Sequence, residues 1–301
     1  MKSTAEDLVN PSNATAAELS RRGFVVIGAA AAAALSDVAC ARAQEYGKPH
    51  SPIVPEDDPD ISVMRPELKP NAGTPIAAYA AKPHAITPNT PGLVVTQHIW
   101  GVDATIRDFV RRMAKNGYIA IAPLLYDRLG APSGDDASDY TTFGPTAEKM
   151  QAQGFVSTDL SAGRDWIRTQ AAQNKVGITG FCMGAGIVLK QIIGNNNYQA
   201  AAMFYGSVRP GTASTDPTTA TTFDFTSEIT TPLMGSFGAR DTSIKPEDVR
   251  AMFARLTVPH DLKIYDEAGH AFMDDTRPSY VASAATDAFA RLLAWFTKYL
   301  R

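Results

Sequence analysis

One cysteine, Cys182, stands at the centre of the stretch VGITGFCMGAGIVL (residues 176–189), between Gly180 and Gly184, where a β-branched run ends and a second apolar run begins. A thiol in that place is a core filler, half of a disulfide, a metal ligand or a nucleophile. The chain has one other cysteine, Cys40, and it lies in a segment whose pattern predicts removal, so an intramolecular disulfide is not expected. A one-cysteine zinc site needs His, Asp or Glu partners at ligand spacing. His50, His84, His98, His260 and His270 do not provide that spacing. No metal or other cofactor is expected, and the choice narrows to filler or nucleophile.

The run Gly180-Phe181-Cys182-Met183-Gly184, with a strand pattern before it and a helix pattern after it, is the thiol version of the G-x-S-x-G nucleophile elbow. A sharp strand-to-helix turn brings backbone close on both sides of its central residue, which is why glycine is needed two positions away. The same turn aims a helix N-terminus at the sulfur, where the backbone dipole favours a thiolate. Such a nucleophile requires a base, and the base an orienting acid, in the chain order nucleophile, acid, base. Asp241 follows the strand candidate PLMGSFG, and His270 follows HDLKIYD within DEAGHAF. Taken singly, Asp241 can serve as a helix cap and His270 as a solvated loop residue. Three residues at three predicted strand ends, in the required order, favour the nucleophile.

The elements that must position them alternate along the chain. Strand patterns cover 75–81, 92–99, 118–123, 175–179, 199–206, 232–238 and 260–266; helical patterns cover 103–117, 158–172, 183–194, 245–256 and 279–300. In the first helix Ile106, Phe109, Val110 and Met113 share one face, with Asp103 placed to cap it and Gly117 to end it. The alternation predicts an α/β fold, a mostly parallel twisted sheet with helices on both faces. In such sheets ligands meet the carboxyl ends of the strands. A long loop is expected between 123 and 158, and the Thr-rich stretch 211–230 reads as an insertion. The sequence shows no internal repeat and requires no second domain.

With 45% hydrophobic residues, 20% charged and a net charge of -3 over 301 residues, the chain carries no basic stripe. Nucleic-acid binding is excluded on that ground. Residues 1–43 differ in character. LSRRGFVVIGAAAAAAL (19–35) and ARA (41–43) resemble a twin-arginine export signal through Ser20, Arg21, Arg22 and Phe24, with cleavage before Gln44. Its apolar stretch falls short of the roughly 20 residues of a membrane span. The expectation is a periplasmic or otherwise exported protein, with no stable membrane insertion after cleavage. A Pro-rich arm with little regular structure would follow over 44–75, and the catalytic domain over 76–301.

From about Gly73 to Arg301 the chain resembles the dienelactone hydrolase family of α/β-hydrolases, through GFCMG, FGARD, AGHAF and the gap-free GLVVTQHIWGVDATIRDFVRRMAKNGYIAIAPLLY (92–126). The resemblance implies a single α/β-hydrolase domain, with Cys182 as nucleophile, His270 as base and Asp241 as its orienting acid. It also implies an oxyanion hole from the backbone N–H groups of Met183 and Ile99, and a small-molecule ester or lactone as substrate. Trp100 and the loop carrying Arg128 are expected to line the pocket. Two departures stand out. His98 replaces a glutamate of the family, and either stabilises a thiolate as an imidazolium or hydrogen-bonds the loop. Arg128 matches one of two arginines that hold a substrate carboxylate; Asp274 stands in place of the other, with Arg277 nearby. Because a thiolate is itself a good leaving group, activated esters and lactones are the expected substrates and amides poor ones. The alternative is a non-catalytic redox-sensing or ligand-binding protein on the same fold, with Cys182 as its reactive thiol. The oligomeric state is not legible.

Overall fold

Near-continuous apolar runs build the central strands, which are buried on both faces, and the two faces collect two separate cores. In the computed structural model, residues 50–131, 140–172, 174–193, 197–209 and 223–301 are described. The export signal with Cys40, and the first part of the Thr-rich stretch, lie outside these residues. The strands are β1 (Ile61–Met64), β2 (Glu67–Leu68), β3 (Ile76–Pro83), β4 (Gly92–Thr96), β5 (Ile119–Pro123), β6 (Val176–Phe181), β7 (Ala200–Phe204), β8 (Leu233–Gly238) and β9 (His260–Tyr265). The helices are α1 (Ala104–Lys115), α2 (Tyr140–Ala152), α3 (Val156–Gln170), α4 (Met183–Ile193), α5 (Pro246–Phe253) and α6 (Ala282–Leu300).

The sheet runs β1-β3-β5-β4-β6-β7-β8-β9, with β2 against β3. All pairings from β5 to β9 are parallel, and those made by β3 are antiparallel. Side chains alternate across the pleat. Val94, Ile121, Ile178 and Met203 join the core under α2, α3, α4 and α5. Leu93, Val95, Ala120 and Phe204 join the core under α1 and α6. In α1 the side chain of Asp103 accepts a hydrogen bond from Ile106 N, and Arg112 and Lys115 occupy the last turn, where the helix dipole favours cations.

The Pro-rich arm contributes two short strands, β1 and β2, which both pair with β3. Two expectations are corrected. The expected loop before 158 contains α2. Pro145, inside this helix, argues against helix locally, yet Phe143, Ala147 and Met150 are buried at helical spacing. Phe143 packs its ring against Tyr126 and Trp100, and that tertiary contact overrides the local preference. The strand expected to reach residue 99 ends at Thr96, so residues 97–99 form a loop at the sheet's carboxyl edge.

Candidate active site

The turn from β6 to α4 is held by close backbone packing. Cys182 has φ 54°, left-handed backbone that a non-glycine residue adopts at a cost of about 1–2 kcal/mol. Its N–H donates to Phe204 O at 3.0 Å, tying the turn to β7. A Cβ on Gly180 would overlap Thr96 Oγ1, and one on Gly184 would overlap Gln97 O. Thr96 Oγ1 donates to Gly184 O at 2.8 Å, which clasps the first turn of α4 to the end of β4. The outcome is a partly exposed thiol, the free cysteine among the described residues.

Three strand ends converge on this sulfur. His270 Nε2 lies 3.1 Å from Cys182 Sγ. His270 Nδ1 lies 2.8 Å from Asp241 Oδ2, while Asp241 Oδ1 accepts from Ser243 N and Ile244 N at 2.8 and 3.0 Å. Asp241 therefore acts both as a turn cap and as a partner of the imidazole. Burial pushes the Cys182 thiol up, but the hydrogen bond and charge of His270, the charge of His98 and the N–H of Met183 bring it below the ordinary thiol value. Burial opposes the charge on His270, and its bonds to Asp241 and Cys182 still push it up to about 10. For Asp241, burial acts upward while the hydrogen bond to His270 prevails and holds the carboxyl below its usual range. All three shifts favour a thiolate–imidazolium pair over the neutral pair.

The Dienelactone hydrolase family matches residues 76–300. The chain belongs to this family. A Salmonella typhimurium relative named "Putative carboxymethylenebutenolidase" is 36% identical over 236 residues, 76% of this chain and 85% of the relative. A Synechocystis relative of the same name is 36% identical over 247 residues, 77% of this chain and 95% of its own length. A crystal structure from Klebsiella pneumoniae, described as a "Putative Dienelactone Hydrolase", superposes with TM-score 0.65 at 31% identity, covering 79% of this chain and 99% of that one. The sheet order and two-sided helix layers above are those of the α/β-hydrolase fold.

In this dienelactone hydrolase family member the loop after β4 faces the elbow. Gly101 N donates to His98 O at 3.1 Å, which orients the peptide plane carrying the Ile99 N–H, and Tyr126 Oη donates to Ile99 O at 2.7 Å. Met183, the other predicted oxyanion donor, is the first residue of α4. Buried His98 Nε2 lies 2.8 Å from Asp103 Oδ1, an ionic contact off the alignment of a hydrogen bond. Burial disfavours its charge, but Asp103 beside it, with Asp274 and Cys182, raises its affinity for a proton above the ordinary imidazole value. Among the described residues, no cluster of three or more His, Cys, Asp or Glu side chains is arranged to hold a metal ion.

Arg128 is paired within the fold. Its Nε and Nη2 donate to the fully buried carboxylate of Asp159, at 2.9 and 2.6 Å, and its Nη1 to Thr74 Oγ1 at 2.8 Å. A buried carboxylate requires a partner, and Arg128 is the guanidinium that supplies it to Asp159. Arg277 takes a different position. Its guanidinium lies over the Trp100 ring at 4.3 Å, with Nε donating to Asp274 Oδ2 at 3.0 Å. Asp274 also accepts from Thr276 Oγ1 and Thr105 Oγ1, so the residue standing in place of an arginine anchors another arginine over Trp100.

Tyr205 escaped the sequence reading. It follows β7 with φ 40° and sets its ring edge-on to His270 at 5.4 Å and to Phe272 at 5.3 Å. Burial holds its hydroxyl well above the ordinary phenol value. The strand-end rule points to this residue, since it occupies in β7 the place that Cys182, Asp241 and His270 occupy beyond β6, β8 and β9.

Proposed function

We propose that the chain is a hydrolase that cleaves activated carboxylic esters or lactones through an acyl-thioester on Cys182. The observation that carries this reading is the continuous contact from Cys182 Sγ through His270 to Asp241. His270 holds the thiol proton, and the sulfur attacks the carbonyl carbon. The oxygen of the tetrahedral intermediate gathers charge beside the N–H groups of Met183 and Ile99; such donors supply a large electrostatic share of acyl-transfer catalysis. The C–O bond then breaks, and the departing oxygen takes the proton from His270. A water molecule, deprotonated by His270, attacks the thioester; the C–S bond breaks, releasing the acid and restoring the thiolate. The relatives' printed name denotes a carboxylate-bearing lactone, and in this reading such a carboxylate would be met by Arg277, whose guanidinium is stacked on Trp100 and keeps its Nη groups clear of the Nε bond to Asp274.

The test uses an aryl ester and a small panel of lactones with the wild-type chain, Cys182→Ala and His270→Ala. Turnover by wild type alone, with a mass increase on Cys182 equal to the acyl group, supports the reading. Equal activity in all three proteins refutes it, and oxidation of Cys182 by peroxide without acylation by any ester would favour a redox thiol. We further propose export by the twin-arginine route, with residues 1–43 removed. Replacing Arg21 and Arg22 with lysine should retain the protein in the cytoplasm, and the exported wild-type form should begin at Gln44.

A further inference from the structure

Thr96 of β4 and Gly180 of β6 are paired neighbours in the sheet, and His98 and Cys182 each stand two residues beyond them, on adjacent strands at the same edge. The sulfur thus has an imidazole from β4 on one side and the imidazole of His270, from the far side of β8, on the other. Each imidazole has its own aspartate, Asp103 for His98 and Asp241 for His270. We propose that His98 is a second, permanent imidazolium for Cys182, and that with Asp103 it keeps the sulfur a thiolate independently of the state of His270. This deepens the acyl-transfer reading at the same sulfur and rests on Cys182 being its attacking atom.

The surroundings of His98 favour its cation from several elements. From α1 and its cap come Asp103, at 2.8 Å, and across a cavity of about 20 Å³ Asp108, while Arg112 on that wall opposes a second cation. From the loop after β9 come Asp274, whose charge also reaches His98, and Asp275 on the same cavity wall. Tyr205, beyond β7, closes that wall with a hydroxyl kept neutral by burial. An imidazole nitrogen 2.8 Å from a carboxylate oxygen must carry its proton, since two lone pairs at that distance repel. The flanking carboxylates then make the doubly protonated ring the favoured form in spite of burial. Asp274 is meanwhile occupied by Arg277 and two threonine hydroxyls, which leaves Asp103 as the direct counter-ion. The resulting row of charges, Asp103, His98, Cys182, His270, Asp241, alternates in sign across the sheet edge. His98 is in this account a positioning residue, acting through the charge of the sulfur.

The experiment measures the second-order rate of Cys182 alkylation by iodoacetamide from pH 4.5 to 9.5, followed by intact mass, with no ester present. In His98→Gln the inflection should rise by about one pH unit, and the rate at pH 6 should fall about tenfold. His98→Lys, which restores a cation without an imidazole, should recover most of the wild-type rate at pH 6; a merely structural role for the ring would not be rescued this way. In His270→Ala the inflection should stay below the roughly 8.5 of an ordinary thiol. A wild-type profile in His98→Gln, no rescue by lysine, or ordinary thiol titration in His270→Ala each overturns the proposal. Should His98→Gln not fold, the His270→Ala profile decides alone. Alkylation needs no acyl substrate, so this proposal and the hydrolase reading fail separately.

Discussion

His270 Nε2 sits 3.1 Å from Cys182 Sγ although the two residues lie at the ends of β9 and β6, with two strands between them. The gap is closed because the loop after β9 leans back over the sheet edge. A Cβ on Gly238, at the end of β8, would overlap Ala268 O, so the loop passes directly over that strand, and Arg240 N donates to Ala268 O at 2.9 Å. Asp241 Oδ2 then meets His270 Nδ1 at 2.8 Å.

That support yields the first expectation. Asp241→Asn should keep the fold and lower kcat on an aryl ester by roughly 10²–10⁴-fold, the loss seen when the orienting carboxylate of a triad becomes an amide. Steady-state kinetics with circular dichroism as the folding control checks it.

Gly180→Ala should damage both stability and turnover. The added methyl would overlap Thr96 Oγ1 and lie 2.5 Å from Gly184 O, so the elbow must shift. Chemical denaturation should show a loss of about 1–3 kcal/mol, and a displacement of the sulfur by about 1 Å should cost on the order of 10²-fold in rate.

Arg128→Ala should act on stability rather than on substrate affinity. Asp159 is fully buried, and its carboxyl is held above the usual range by burial even with Arg128 bonded to it. Removing the guanidinium leaves a buried charge unpaired, with an expected loss of about 3–5 kcal/mol. Among folded molecules KM should change little.

Arg277→Gln should do the reverse. KM should rise about tenfold for lactones or esters that carry a free carboxylate, which is about 1.4 kcal/mol of lost ion pairing, with neutral esters affected little. Paired measurements on an ester and its carboxylate-bearing analogue check this.

Asp275 provides a pH signature. Burial, with Asp108 nearby, pushes its carboxyl up to about 6 against the pull of Arg112. The native protein therefore binds this proton more tightly than the unfolded chain, whose aspartates titrate near ~3.9. Native stability then falls as pH rises through that window, and above about 6 the buried charge is a full penalty. Asp275→Asn should raise stability at pH 7.5 by about 1–2 kcal/mol, and the gain should vanish near pH 4. Thermal melts at both pH values test it.

Local pattern in the sequence determined much of this protein. Short, near-continuous apolar runs specify the sheet from β3 to β9 and period-3.6 runs specify five of its helices, because burial of both faces of a strand, or of one stripe of a helix, is encoded at short range. The spacing Gly-x-Cys-x-Gly specifies the elbow, since only glycine leaves room for the backbone that crosses it, and strand ends mark where Asp241 and His270 must lie. Tertiary structure decided the remainder. α2 exists because Phe143 packs on Tyr126 and Trp100, which no local rule foretells around Pro145. Arg128 is bound to Asp159 and Arg277 is set over Trp100, because which of two cations meets a buried carboxylate depends on how helices and loops far apart in the chain are folded together. His98 becomes a charged neighbour of Cys182 only when β4 and β6 lie side by side with Asp103 behind them; charge on a buried imidazole is a property of its surroundings, and those come from the fold.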